Sequence, residues 1–233
     1  WLGIDGENEF RGGGVSTCAT CDGFLFRDQP VVVVGGGDTA MEDALVLART
    51  SSHVTLVHRR DEFRASRILA ERVKIHESIS IAWNTTVQSF HGEFSEDPDT
   101  GERKPRLTHV NLLENGSEEP IKLEVAGAFV AIGHDPATSL FESQLELDKN
   151  KYIITEGKST RTSVEGVFAA GDVMDHVYRQ AVTSAGSGTQ AALDAERWLS
   201  AQGIKVRQQP RYDLSYFTTV TLVMLAGLRR MNE

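Results

Sequence analysis

Apolar residues in this chain gather into a few dense runs set between long polar stretches. Pro30-Val31-Val32-Val33-Val34 is continuous and β-branched, which predicts a strand buried on both faces. Gly35-Gly36-Gly37 follows it, and from Asp38 to Thr50 the residues Ala40, Ala44, Leu47 and Ala48 recur at helical spacing. Val54-Thr55-Leu56-Val57 predicts a second strand. Strand, glycine loop, helix and strand in this order make a βαβ unit, which favours a right-handed crossover and a parallel sheet.

Further along, Phe63 to Lys74 reads as a helix rich in Arg, Ala and Leu. Thr108, Val110 and Leu112 alternate before Asn115-Gly116, and Ile121, Leu123 and Val125 alternate after it, which predicts a hairpin. Ser95 to Pro105 is polar and punctuated by Pro98, Gly101 and Pro105, so an exposed loop is expected there. Ala128 to Ile132 is another buried run, and it ends at Gly133-His134-Asp135-Pro136, the expected hinge between domains. A third run, Val167-Phe168-Ala169-Ala170, stops at Gly171-Asp172. A helix is expected from about Ser187 to Ala201, with Ala191, Ala195, Trp198 and Leu199 on its apolar side. Leu214 to Leu228 carries no charge but is shorter than the ~20 residues a bilayer span needs. A membrane anchor is the disfavoured reading of that tail.

Composition narrows the function classes. The 233 residues carry 24 Lys and Arg against 33 Asp and Glu, a formal net charge of −9. An acidic surface repels phosphate, and no long basic run relieves it, so a general nucleic-acid binder is not expected. Two cysteines in the whole chain exclude a disulfide-stapled secreted scaffold. His53, His76, His91, His109 and His176 show no metal-ligand spacing, and no metal is expected. The chain opens at Trp1 without an initiating Met and reads as a piece of something longer.

Two motifs carry chemistry. Gly35-x-Gly37-x-x-Ala40 fits a dinucleotide fingerprint, with the first glycine for the tight turn and the second for close approach to a pyrophosphate. Ala40 is small enough for helix to meet strand, and the phosphates would rest on the amides at the helix start. The second strand ends in Val57-His58-Arg59-Arg60, with Arg64 one turn on, where an NAD site would place an acidic residue. Guanidinium groups suit a 2′-phosphate, so the expected cofactor is NADP(H); a solvated basic patch is the bland alternative. The other motif is Cys18-Ala19-Thr20-Cys21. Half a zinc site, a redox dithiol and coincidence all remain open for such a pair. The absence of a second ligand pair and the neighbouring βαβ unit favour the dithiol. Asp22, directly after it, could manage a proton or cap the next turn.

At this level of detail the chain resembles the low-molecular-weight, flavin-dependent thioredoxin reductases. The resemblance rests on Cys18 to Gly23, Gly35 to Ala40, His58 to Ala65, Ala131 to Pro136, Gly166 to Val173, Tyr178 to Ala181 and Ala185 to Gly188, in the family order. It implies an α/β architecture in which a Rossmann-like NADPH domain, a parallel sheet with a β-hairpin layer, is inserted into an FAD domain of the same type. The implied divisions are 1–132 for NADPH and the redox pair, 133–210 for the C-terminal part of the FAD domain, and 211–233 for a tail of unknown role. Cys21 would face the flavin and Cys18 would attack the carrier's disulfide, with Asp22 beside them. Gly35, Gly37, Asp38, Thr39, Ala40, His58, Arg59, Arg60, Arg64, Ile132 and Gly133 would line the NADPH side. Gly171, Asp172, Arg179, Gln180 and Ala181 would approach the flavin.

The implied activity is NADPH-dependent reduction of thioredoxin, or of a thioredoxin-like dithiol protein, through FAD and the cysteine pair, in a cytoplasmic homodimer. A reductase for another dithiol protein and a non-catalytic NADPH-binding module are the alternatives. The family's first glycine fingerprint, which holds the FAD pyrophosphate, has no counterpart in residues 1–29. The chain alone is therefore expected to bind FAD poorly and to turn over little.

Overall fold

The computed structural model describes residues 1–96 and 100–204. The uncharged tail and the end of the second expected domain lie outside the described residues. The chain divides into two compact units, an N-terminal one from Trp1 to Gly133 and a C-terminal one beginning at His134.

The N-terminal unit opens with the two-residue strand β1 (Val15–Ser16), the short helix α1 (Ala19–Asp22) and a 3-10 turn, Gly23–Phe26. Then come β2 (Pro30–Gly35), α2 (Asp38–Leu47), β3 (His53–Val57), α3 (Arg67–Lys74) and β4 (Ile79–Ala82). Three longer-range strands, β5 (Thr85–Glu96), β6 (Arg103–Glu114) and β7 (Ile121–Glu124), precede β8 (Gly127–Ala131). β1, β8, β2, β3 and β4 form one sheet in that order with every pairing parallel, while β5, β6 and β7 form an antiparallel sheet. This is the expected Rossmann-like arrangement, with a three-stranded layer where a hairpin was expected.

Alternation along β2 explains the layering. Val31 and Val33 point into one core with Ala40, Met41, Ala44 and Leu47 of α2. Val32 and Val34 point into the opposite core with Phe90, Leu107 and Val110 of the antiparallel sheet. All four valines are buried, so the strand reads as continuous rather than alternating because each face has its own cover.

Several boundaries depart from the sequence expectation for identifiable reasons. α3 starts at Arg67, not Phe63, because the preceding loop is drawn back: the Arg64 amide donates to the Gly36 carbonyl at 2.8 Å, and the Ser66 amide to Asp38 Oδ1 at 2.6 Å. The expected loop from Ser95 to Pro105 is strand at both ends, with Ser95 opposite Lys104 and Glu96 opposite Arg103, while residues 100–102 between β5 and β6 belong to no strand. Proline is tolerated there because β7 pairs only with His109 to Leu112, leaving that end of β6 unpaired on its second side.

The C-terminal unit has a long helix, α4 (Ala181–Ala201), and 3-10 turns at Ser139–Phe141 and Gly171–Val173. α4 begins six residues before the expected Ser187, because Gln180 and Thr183 form a reciprocal capping box ahead of the glycine-containing stretch. The run Val167 to Ala170 forms no strand; Phe168 makes an isolated bridge to Arg161. Leu145, Ile153, Ala169 and Val173 make up this unit's buried cluster.

Candidate active site

Parallel strands release their following loops at one edge, and the chemistry of the N-terminal unit collects there. β1 leads into the cysteines, β2 into the glycine loop, β3 into the arginines and β8 into Gly133.

Cys18 and Cys21 form a disulfide across α1, with Cα atoms 5.2 Å apart. Cys18 is the N-cap of the helix, and its Sγ accepts the Cys21 amide at 3.1 Å. Ser16 ties the turn to the sheet. Its hydroxyl donates to Asp22 Oδ2 at 2.6 Å and accepts the Cys18 amide at 3.1 Å. Underneath, Ala19 is buried against α2, and a Cβ on Gly23 would lie 3.0 Å from Leu47 Cδ2. Cys18 is half-buried and Cys21 exposed, so the pair sits at the surface on a fixed seat.

The three glycines have different reasons to lack a side chain. A Cβ on Gly35 would stand 2.3 Å from the Ala131 carbonyl oxygen and 2.8 Å from the Ala40 Cβ, so this glycine and Ala40 let α2 dock on the sheet. On Gly36 it would strike the His58 ring at 2.1 Å. On Gly37, the N-cap of α2, it would meet nothing within 4 Å, and no side chain caps this helix. The open space in front of the first α2 amides is what a phosphate group needs. Asp38 is turned aside to the Ser66 amide, while Thr39 is half-buried in the first turn.

His58 is 6% exposed, packed under Gly36 and beside Phe63 and Trp83, with Nε2 3.0 Å from the Glu62 carbonyl. Burial pushes its imidazole below the ordinary range, and the Arg60 and Arg59 charges act the same way, against backbone contacts at Glu62 and Gly35. It thus supports the loop from below. Arg59, Arg60 and Arg64 are exposed around that support, and among the described residues none pairs with a carboxylate. Ile132 is exposed, and Gly133, at φ +117°, takes a conformation that side chains disfavour.

In the C-terminal unit, Asp172 accepts the Ser184 hydroxyl at 2.9 Å, and the Gly171 amide donates to Ser187 Oγ at 2.9 Å. Arg179 has φ +49°; its amide donates to Asp175 Oδ2 at 3.2 Å, and its guanidinium to the His176 carbonyl. Burial acts to raise the Asp175 carboxyl, but the Tyr178, Val177 and Arg179 amides and the Thr183 hydroxyl hold it below the usual range. Gln180 and Ala181 are the N-cap and first residue of α4. The predicted residues thus form two groups, one in each unit.

The profile of the pyridine nucleotide-disulphide oxidoreductases matches residues 1–188. The chain belongs to that family. A thioredoxin reductase of Mycolicibacterium smegmatis is 53% identical over 201 residues, covering 86% of this chain and 61% of that protein. Among solved structures, thioredoxin reductase from Giardia duodenalis is 41% identical with a TM-score of 0.74, and that from Streptococcus pyogenes MGAS5005 is 33% identical with 0.77. Each match covers 86% of this chain and 62% of the other. The chain thus spans about three fifths of the length of the proteins it matches.

Three residues packed under or beside the candidate site were not singled out from sequence: Ser16, Gly36 and Asp43. Asp43 alone left a readable signal, a carboxylate on the face of α2 that also carries Ala40, Ala44 and Leu47. Among the described residues no helix is long and apolar enough to cross a membrane.

Proposed function

We propose that this chain serves NADPH-dependent reduction of thioredoxin, or of a thioredoxin-like dithiol protein, through FAD and the Cys18–Cys21 pair. The observation that carries the reading is a surface disulfide seated at the same sheet edge as an open glycine loop and three exposed arginines. Gly35, Gly37 and the amides of Asp38, Thr39 and Ala40 would hold the pyrophosphate of NADPH. Arg59, Arg60 and Arg64 would take its 2′-phosphate, with Ile132 and Gly133 beside the path. For the flavin, Gly171, Asp172, Arg179, Gln180 and Ala181 would supply one part of a site. No second glycine fingerprint stands among the described residues, so FAD is expected to bind this chain weakly. When bound, the two groups supply the electron pair.

The chain's own residues then act in sequence. The Cys18–Cys21 bond accepts two electrons and two protons and opens to two thiols. Cys18, as thiolate, attacks one sulfur of the carrier's disulfide and expels the other as a thiolate. Cys21 loses its proton and displaces the second carrier thiolate from the mixed disulfide, restoring the Cys18–Cys21 bond. Asp22, fixed by Ser16, is placed to hold a proton during this exchange. The domain roles follow as 1–132 for NADPH and the redox pair and 133–210 for the flavin. A cytoplasmic, homodimeric setting fits a dithiol that works in a reducing compartment.

Two measurements test the reading. Titration of the chain should show NADPH binding at least ~10-fold tighter than NADH, with the preference lost in Arg59→Ala/Arg60→Ala. The Cys21→Ser variant should form a stable mixed disulfide between Cys18 and a thioredoxin that keeps a single active-site cysteine, activated as a mixed disulfide with a small thiol that leaves as its thiolate. No nucleotide preference together with no mixed disulfide overturns it; a mixed disulfide formed only with another dithiol carrier reassigns the partner.

A further inference from the structure

The redox turn rests on a buried acid that no step above uses. Asp43 lies in the middle of α2, 9% exposed, among the apolar residues that pack this helix on the sheet. Ala19 is the first residue of α1, directly after Cys18, and its amide has no carbonyl partner within so short a helix. Ala19 packs in the same buried cluster as the face of α2 that carries Asp43, and its amide favours the charged carboxyl, while Oδ2 of that carboxyl has no hydrogen-bond partner among the described residues. A buried carboxyl with an orphaned oxygen is unfavourable when charged and easier to bury with a proton attached.

The surroundings of Asp43 leave few groups to interact with. From α1 these are Cys18, Cys21 and Asp22, the last already bonded to Ser16. From α2 itself there is Glu42, which is exposed. The strands beneath contribute Val31, Val33 and Phe129, all apolar. α3 turns Ala70 and Val73 inward and leaves Arg67, Glu71, Arg72 and Lys74 exposed. Among the described residues no cation is placed to neutralise the carboxylate. Burial, with the Glu42 charge adding to it, pushes Asp43 up to about 7 against the pull of the Ala19 amide.

We propose that Asp43 is a positioning residue of the Cys18–Cys21 couple: buried on the face of α2 that packs against the first residue of the dithiol turn, it sets, by keeping or releasing a proton, how much of the reduced pair is thiolate. This inference rests on the redox reading of the pair. In the disulfide state α1 carries no thiolate, and the carboxyl titrates against Glu42 alone. Reduction by a dithiol such as dithiothreitol breaks the S–S bond, delivers two electrons and two protons, and leaves cyclic oxidised dithiothreitol. A thiolate formed afterwards at Cys18, the neighbour of Ala19, repels an ionised Asp43 on the α2 face that packs with Ala19, and the two titrate as one coupled system. Protonated Asp43 permits the nucleophile, and ionised Asp43 opposes it.

The test needs neither NADPH, FAD nor thioredoxin, so its outcome is separate from that of the proposed activity. The chain is reduced with dithiothreitol, desalted without oxygen, and alkylated with iodoacetamide across about pH 5.5 to 9.5, the range in which thiols ionise. Asp43→Asn keeps an oxygen for the Ala19 amide but cannot ionise. It should alkylate roughly threefold or more faster near pH 7 and shift the rate profile to lower pH. A folded variant whose profile superimposes on the parent's overturns the proposal. If the variant fails to fold, the parent decides alone. The carbon resonance of the Asp43 carboxyl should titrate at least about half a unit higher in the reduced chain than in the disulfide form. Equal midpoints in the two states overturn the proposal.

Discussion

The two units hold their functional residues by different means. In the N-terminal unit the cysteine turn, glycine loop and arginines leave a parallel ladder whose strands are covered on both sides by separate apolar clusters. In the C-terminal unit Asp172 and Arg179 stand near a cluster of four buried apolar residues, and their backbone is fixed mainly by side chains. The Asp175 carboxylate alone collects the amides of Val177, Tyr178 and Arg179. The difference teaches where each site is vulnerable. The first depends on close packing between elements, and the second on a few polar caps that one substitution can remove.

The largest expected contrast is in hydrogen exchange. Amides of β2 and β8, central and buried, should exchange at least ~1000-fold more slowly than those between residues 160 and 175, measured on the intact chain. Equal protection would abolish the contrast. Within the glycine loop, Gly36→Ala forces a methyl into the His58 ring and should destabilise the N-terminal unit by about 3 kcal/mol or more. Gly37→Ala meets no protein atom at an extended φ of −99° and should stay within about 1 kcal/mol, yet weaken nucleotide binding. Thermal melts and binding titrations on the pair separate packing from function.

Asp43 supplies the pH arm of the comparison. Its carboxyl ionises at about 7 when folded, against an ordinary value of 3.8. Unfolded chains therefore lose the proton first, and stability falls as pH rises from about 4 through about 7, then levels. Asp43→Asn should be more stable than the parent by roughly 2 to 3 kcal/mol at about pH 8, with the gain fading to nothing near pH 4. A gain independent of pH would assign the effect to packing. The smallest effect belongs to the other unit. Asp175→Ala should cost about 1 kcal/mol and be read locally, as faster exchange at Val177, Tyr178 and Arg179 with β2 unchanged.

Much of the N-terminal architecture was legible because its strands are pure in type. Val31 to Val34 could be little else, and the glycine loop and βαβ order followed from it. β5 was not legible. Its outward residues are polar, and register shifts between Val87 and Ser89 and between His91 and Gly92 break the period of two. The start of α3 was misplaced because Gly36 and Asp38 capture Arg64 and Ser66, a tertiary effect no local pattern carries. The cysteines and arginines were legible as chemistry, but the props beneath them were not. Ser16 is an ordinary serine until β1 places it, and no local pattern shows that the His58 ring lies against Gly36.

The seat of the cysteine turn has a consequence for the order in which the molecule is made. Among the described strands β1 pairs with β8 alone, Val15 lying opposite Ala128, so the sheet contact that carries Ser16 must wait for nearly the whole N-terminal unit to leave the ribosome. The cysteines themselves are three residues apart and can meet at once. A nascent chain therefore brings its thiols together on a turn that has no support yet. The pairing is local, the platform is long-range, and synthesis delivers the pairing first.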